Sequence, residues 1–171
     1  MIDPEKPVRK KNRLASYDYS EPGAYFVTVC TRGREKLLWD PTIVGAAISR
    51  PPDEHRLPCA FSDYGRIVDQ AICNLPEHYP HILVDQYVVM PNHIHLLLSV
   101  SEMGSGRLIA APTLSTVIGQ MKRWASREAG ISLWQKSFYE HVIRDQEDYL
   151  AVWNYIYGNP AKWSEDIYFS T

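Results

Sequence analysis

The sequence predicts an α+β domain in which helices cover an antiparallel β-sheet. Four runs rich in β-branched and aromatic residues indicate strands, and two of these runs are separated only by a short turn. Two other segments repeat apolar residues at the spacing of amphipathic helices. With 171 residues, 45% of them hydrophobic and 22% charged, the chain fits one globular domain spanning residues 1–171.

The N-terminal part predicts an arm, a strand and two helices. A polar, basic arm extends to about residue 19, and the turn-like Glu21-Pro22-Gly23 leads into a first strand at residues 24–31. A short helix is expected near residues 41–49, because two prolines follow Arg50 and would end it. Residues 66–77 predict an amphipathic helix, whose apolar positions are Ile67, Val68, Ala71, Ile72 and Leu75.

A hairpin is predicted in the middle of the chain. Residues 82–90 and 93–100 are strand-like and are joined at Pro91-Asn92. Alternate side chains of a strand point to opposite faces, so His93 and His95 lie on one face. The apolar side chains of the second strand take the other face, namely Ile94, Leu96, Leu98 and Val100.

The C-terminal part completes the order β-α-β-β-α-β, followed by one more helix. After a connection at residues 101–112, a helix is predicted with a buried stripe of Leu114, Val117, Ile118, Met121 and Ala125, and Gly130 ends it. Residues 137–144 predict the fourth strand. Asp145 then caps a last helix that runs to about Gly158 and that Pro160 terminates. This order is that of a ferredoxin-like split βαβ fold, with the added C-terminal helix free to cover the other sheet face.

Two spacings suggest chemistry. Two histidines separated by one strand residue, His93 and His95, can offer imidazole nitrogens to one divalent metal ion. Residues four apart on a helix are neighbours, so Tyr155 and Asn159 share a face, whereas Tyr157 points away. A helix laid over the strand would bring a phenol and an amide oxygen to the metal, which suits attack on a phosphodiester. We therefore predict DNA-strand chemistry.

Each of these residues also has a structural interpretation. A histidine in a strand is often simply hydrogen-bonded, and aromatic residues on a C-terminal helix usually pack in a core. Asn159, which precedes a proline, can be a helix cap. Two functional alternatives also remain open, which are a hairpin-DNA-binding module without catalysis and a metal-dependent nuclease that uses water.

Composition and missing motifs exclude several other classes. The sequence contains no HExxH motif, no PCxxC near the histidines and no glycine-rich phosphate loop, which argues against a metalloprotease, a deaminase or a P-loop enzyme. Three cysteines without CxxC spacing, no export signal and no long apolar run predict a soluble, cytoplasmic protein with reduced thiols.

A net charge of −2 gives no general basicity, so contact with DNA would depend on local patches. The residues proposed for nucleic-acid binding are Arg9, Lys10, Lys11 and Arg13 in the arm, with Lys122, Arg123 and Arg127 on the second amphipathic helix. Tryptophans that are candidates for base stacking are Trp39, Trp124, Trp134 and Trp163, although for Trp124, as for Trp153, packing in the core is favoured.

Four strings in order resemble the HUH-type single-strand transposases, and most closely the REP-associated tyrosine transposases. The first joins Asp18-Tyr19 to Gly23-Ala24-Tyr25-Phe26-Val27-Thr28, and the second is Val88-Val89-Met90-Pro91-Asn92-His93-Ile94-His95. The third is Trp134-Gln135-Lys136-Ser137-Phe138-Tyr139-Glu140-His141-Val142-Ile143-Arg144, and the last is Tyr155-Ile156-Tyr157-Gly158-Asn159-Pro160. The resemblance covers most of the chain.

The resemblance implies a metal-dependent single-strand DNA endonuclease and strand transferase. In that family's pattern His93 and His95 bind Mg²⁺ or Mn²⁺, Tyr155 is the nucleophile and Asn159 is the third ligand, at a position where relatives often have glutamine. The expected partner is single-stranded or hairpin DNA, and the expected intermediate is a 5′-phosphotyrosine. Monomer and homodimer both stay open.

Overall fold

Four strands form one antiparallel sheet in a computed structural model that describes residues 22–40, 61–102 and 112–165. Their spatial order is β2-β3-β1-β4, where the strands are β1 Gly23–Cys30, β2 Ile82–Val89, β3 His93–Val100 and β4 Tyr139–Val142. The two strands with the longest pairing, β1 and β3, lie at the centre. The predicted basic arm and the predicted helix at 41–49 fall outside the described residues, as does most of the 101–112 connection.

The helices are α1 Asp63–Cys73, α2 Leu75–His78, α3 Leu114–Glu128 and α4 Gln146–Gly158, followed by a 3₁₀ segment at Pro160–Glu165. Helix α1 begins earlier than predicted because the Ser62 hydroxyl accepts a hydrogen bond from the Gly65 N–H and caps it. The single helix predicted over 66–77 is wrong in its second half. It ends at Cys73, and α2 starts a new turn with Pro76 near its beginning.

One sheet face carries the main hydrophobic core under α1 and α3. Side chains from the two central strands pair there, for example Val27 opposite Leu96 and Tyr25 opposite Leu98, and all four are fully buried. The predicted stripe of α3 is confirmed, because its five apolar residues are the buried residues of that helix. Gly130 follows α3 with φ +67, a left-handed conformation that glycine adopts without strain.

The other sheet face is covered by α4 and the 3₁₀ segment. A smaller core forms there from Val88, Met90, Leu97, Ile156 and Trp163. Strand β3 is consequently buried on both faces, with Ile94 on the α1–α3 side and His93 and His95 on the α4 side. The C-terminal helix α4 thus covers the second sheet face, as predicted from the sequence.

The predicted α+β, ferredoxin-like arrangement is confirmed, and its errors are the missed break between α1 and α2 and the ends of some elements. The fourth strand is four residues long instead of eight, because only residues 139–142 pair with β1. Asp145 caps α4 as predicted, its carboxylate accepting the Asp148 backbone N–H at 2.9 Å. Within the described ranges, no helix has the length and apolar character needed to cross a lipid bilayer.

Candidate active site

The two histidines of β3 face each other beneath α4. Both side chains are buried, at 0% exposure for His93 and 1% for His95. Their Nε2 atoms lie 3.0 Å apart and their ring centroids 4.5 Å apart. The strand spacing therefore brings two imidazole nitrogens to one point, as the sequence predicted.

Each histidine is held from behind through its Nδ1 atom. Nδ1 of His93 lies 2.9 Å from the Asn92 amide oxygen, while the Asn92 amide nitrogen donates to the Arg34 carbonyl. Because that oxygen only accepts, Nδ1 of His93 donates its proton to it, and in the neutral ring Nε2 is left with a lone pair. Nδ1 of His95 lies 2.8 Å from the Thr28 hydroxyl, which can accept or donate. Outer hydrogen bonds of this kind orient histidine ligands of metals.

The electrostatic environment keeps His95 uncharged. Burial lowers its pKa well below the usual value near 6.5, and the neighbouring His93 lowers that pKa further. A neutral imidazole is the form that ligates a metal ion. At neutral pH, His95 therefore does not have to lose a positive charge before it can bind a metal ion.

Helix α4 brings a phenol to this pair. The Tyr155 hydroxyl lies 3.4 Å from Nε2 of His95, and 45% of the Tyr155 side chain is exposed. Phe26 packs beside both rings, with centroid distances of 5.1 Å to His95 and 6.0 Å to Tyr155. Tyr157 is 71% exposed, as expected for a residue two positions further around the helix. Of the two tyrosines, Tyr155 adjoins the histidines and remains open to solvent.

Asn159 lies buried at the end of α4. It is the C-cap residue, 4% exposed, and its backbone N–H donates to the Ile156 carbonyl. Its side-chain oxygen accepts no hydrogen bond from the part of the chain that the structure describes. A buried acceptor without a donor costs about 1–3 kcal/mol, so a ligand for this oxygen would relieve an unfavourable state. The cap role and a ligand role are compatible, because the cap uses the backbone.

These donors fit a divalent cation. Two ligand atoms, each about 2.1 Å from an octahedral ion and at right angles to each other, are about 3.0 Å apart, which is the separation of the two Nε2 atoms. No cluster of three or more His, Cys, Asp or Glu side chains converges within residues 22–40, 61–102 and 112–165. Two imidazoles at this separation would leave further coordination positions open, including positions for substrate oxygens.

Comparison with known proteins supports the motif-based resemblance. No family model matches the chain. A provisionally named REP-associated tyrosine transposase of Haemophilus influenzae is 29% identical over 85% of this chain and 74% of its own length. The REP-associated tyrosine transposase of Escherichia coli is 30% identical over 46% of this chain and 44% of its own. The chain is a homologue of the REP-associated tyrosine transposases. The predicted resemblance is confirmed, and the named homologues support the predicted enzyme class, an HUH-type transposase.

A solved structure shows the same fold. The REP-associated tyrosine transposase bound to a REP hairpin superposes with a TM-score of 0.56 and 23% identity, over 82% of this chain and 68% of that one. At this identity the likeness concerns the fold. The similarity supports the antiparallel sheet with its covering helices. In this transposase homologue, that sheet carries the histidine pair, and one of those helices carries Tyr155.

Sequence reasoning missed the roles of three residues of the site. Thr28 and Asn92, which hold the histidines, carry only the sequence signals of a strand residue and a turn residue. The pairing of β1 with β3 places Thr28 opposite His95, a contact that no single-strand pattern reveals. Trp163, a candidate for stacking on DNA bases, is instead 2% exposed with its ring 6.0 Å from that of His93.

Of the predicted DNA-binding residues, those of α3 lie around a separate groove, and those of the arm fall outside the described residues. A groove of about 450 Å³ brings Lys122 and Arg123 of α3 together with Lys136 and Phe138. The Lys122 ammonium donates to the Gln135 carbonyl at 2.7 Å, and more weakly to the next two carbonyls, so it also holds this loop in place. The third predicted cation of α3, Arg127, pairs with the adjacent Glu128 at 3.1 Å on the surface. Neither His93 nor His95 lines this groove, and α3 and α4 cover opposite sheet faces.

Proposed function

We propose that the chain is a metal-dependent single-strand DNA endonuclease and strand transferase that cleaves through a 5′-phosphotyrosine at Tyr155. The transposase class is supported by the named homologues. The observation that carries the finer proposal is the 3.4 Å approach of the Tyr155 hydroxyl to a buried histidine pair. A structural tyrosine would have no need to combine this approach with exposure to solvent.

The chemistry balances without a cofactor that supplies energy. The Tyr155 oxygen attacks a backbone phosphorus, loses its proton, and forms a phosphotyrosyl bond as the P–O3′ bond breaks and the leaving oxygen takes up a proton. In the reverse direction a 3′-OH attacks the phosphotyrosine and restores a strand. The linkage conserves the energy of the broken bond, so joining requires no nucleotide triphosphate.

We assign His93, His95 and Asn159 as the residues that hold Mg²⁺ or Mn²⁺. When bound, the ion would supply charge neutralisation at a non-bridging phosphate oxygen. The remaining tasks belong to the protein. Thr28 and Asn92 fix the imidazole rings, and Phe26 restrains both His95 and Tyr155. Helix α4 excludes water from the histidines while leaving the phenol accessible from one side.

The proposed substrate is single-stranded DNA next to a hairpin. The solved homologous fold is bound to a REP hairpin, which makes hairpin DNA the first candidate for this chain. The arm residues Arg9, Lys10, Lys11 and Arg13 and the α3 residues Lys122, Arg123 and Arg127 stay predicted DNA contacts. Neither histidine lines the groove of Lys122 and Arg123, which suits contacts to a hairpin stem outside the cleavage site.

The test is the covalent intermediate. Labelled single-stranded DNA carrying a hairpin is incubated with the protein and Mg²⁺ or Mn²⁺, then separated under denaturing conditions. Wild type should give a protein-linked band, and Tyr155→Phe, which removes one oxygen and keeps the ring, should give none. The matched control Tyr157→Phe should retain the band, because that side chain is directed to solvent.

The same gel separates the alternatives. Cleavage without a linked band, unaffected by Tyr155→Phe, would instead establish a nuclease that uses water. Hairpin binding without metal and without cleavage would establish a binding module. Either result contradicts the proposed function.

A further inference from the structure

The first turn of α4 is tied to the edge of the sheet by a polar pair. Nε2 of His141, on β4, lies 2.8 Å and 3.1 Å from the two carboxylate oxygens of Asp148, on α4. The same carboxylate accepts the Arg144 backbone N–H at 3.2 Å. The side chains are 36% and 27% exposed, so water competes only in part for this contact. The nearby His141 and Arg144 hold the pKa of Asp148 below its usual value against the opposing effect of burial.

Asp148 and Tyr155 lie on the same side of α4. Seven residues at about 100° each amount to two turns less about 20°. The rotation that directs Asp148 toward His141 therefore also directs Tyr155 toward the sheet. A rotation of α4 by one residue would remove the phenol oxygen from the histidine pair altogether.

Apolar packing along α4 is only partly buried, so polar contacts can contribute to fixing this rotation. Along α4, Ile156 is the fully buried side chain, and the remaining residues are half-buried or exposed. One position further around the first turn, Tyr149 interacts with Asp85, which also accepts a hydrogen bond from Ser99 on β3. Polar contacts of Asp148 and Tyr149 thus add to the apolar packing of Tyr149, Val152 and Trp153 at the start of the helix.

The pair also connects directly to the site. His141 lies opposite Phe26 in the β1–β4 pairing, so both side chains occupy the α4 face of the sheet. Phe26 in turn contacts the rings of His95 and Tyr155. His141, Phe26 and His95 therefore share one sheet face, which leads from the contact with Asp148 to the Tyr155 hydroxyl.

We propose that His141 and Asp148 are positioning residues, which set the rotation of α4 and thereby hold the Tyr155 hydroxyl at the histidine pair. The inference rests on the proposed function, because the position of Tyr155 matters to a reaction only if Tyr155 is the nucleophile. Neither residue touches the reacting atoms.

The kinetic test compares single variants with a matched control. His141→Ala and Asp148→Ala should each slow adduct formation at saturating DNA about 10- to 100-fold, the scale expected for a misplacement of about 1 Å, with little change in the DNA concentration that gives half saturation. Glu147→Ala removes an exposed acid from the same helix turn and should keep the wild-type rate. His141→Gln retains an N–H donor for Asp148 and should recover most of the loss. The double alanine variant should be no slower than either single one, since each single substitution already breaks the same hydrogen bond.

A second measurement does not depend on activity. Proton NMR should detect dipolar contacts between the Tyr155 and Phe26 rings in wild type and in Glu147→Ala, and these contacts should weaken in His141→Ala. Wild-type adduct rates and unchanged contacts in His141→Ala and Asp148→Ala would overturn the inference, as would a failure of His141→Gln to recover a loss. If wild type forms no adduct, the proposed function fails by itself, and the NMR contacts decide whether the pair positions the helix.

Discussion

Replacing Thr28 by valine tests whether the hydrogen bonds behind the histidines govern metal affinity. Thr28 is 2% exposed, and its hydroxyl lies 2.8 Å from Nδ1 of His95. Valine keeps the size and the branched Cβ that a strand favours but replaces the hydroxyl by a methyl group. The substitution thus removes one hydrogen bond and little else.

Two magnitudes follow from this hydrogen bond. Loss of an outer-shell hydrogen bond to a ligand histidine typically lowers metal affinity about 10- to 100-fold. Leaving Nδ1 of His95 without a partner in a buried position should lower the free energy of unfolding by about 1–3 kcal/mol. For a chain of this length, each kcal/mol corresponds to a fall in melting temperature of about 2–4 °C.

The assay is a titration of Mn²⁺ against DNA cleavage, paired with calorimetric metal binding and thermal unfolding without metal. Thr28→Ser keeps the hydroxyl and should stay close to wild type in metal affinity. An unchanged titration midpoint in Thr28→Val would refute the role of this hydrogen bond. Equal losses in the valine and serine variants would instead attribute the effect to packing.

Three further predictions address the ion, the histidine charge and the DNA contacts. Asn159→Leu removes the buried oxygen that accepts no hydrogen bond from the described residues, so it should not lower the free energy of unfolding measured without metal. The metal concentration needed for cleavage should rise, and an unchanged metal concentration would leave Asn159 as a helix cap. Because the pKa of His95 is lowered in the folded state, the unfolded state binds the extra proton, and the free energy of unfolding should fall as pH drops below about 6.5, by up to about 1.4 kcal/mol per pH unit. Denaturant titrations at pH 5–7 should show that His95→Gln flattens this dependence. Reversing the charges of Arg9, Lys10 and Lys11 should weaken DNA binding, and the slope of log affinity against log salt concentration should become shallower by about 0.7 for each single-strand phosphate that the arm no longer neutralises. Wild-type affinity and slope in this variant would exclude the arm from the DNA interface.

The order of strands and helices was predictable because each depends on local periodicity. Strand β3 was predicted at its observed bounds, and the stripe of α3 matched its buried residues. The break between α1 and α2 was missed because the apolar spacing continues across it to Leu75, although Pro76 is a residue type that favours the first turn of a new helix. Periodicity alone does not detect such a restart.

The site was predictable only in part, for a similar reason. The spacings of His93 to His95 and of Tyr155 to Asn159 are properties of one strand and one helix, so sequence patterns carry them. Thr28 reaches His95 from a different strand, and Trp163 reaches His93 from beyond α4. Such contacts depend on strand register and helix docking, which one sequence does not encode in any short pattern.

Strand β3 has a consequence for how the protein can fail. A shift of its pairing by one residue would turn His93 and His95 into the main core and expose Ile94 to the α4 side. The content of helix and strand would barely change, so circular dichroism would not distinguish such a molecule from the active one. Two uncompensated imidazoles inside the core would nevertheless make this alternative unfavourable. The histidines therefore disfavour a misregistered sheet, and residues suited to a reaction also act as a check on correct folding.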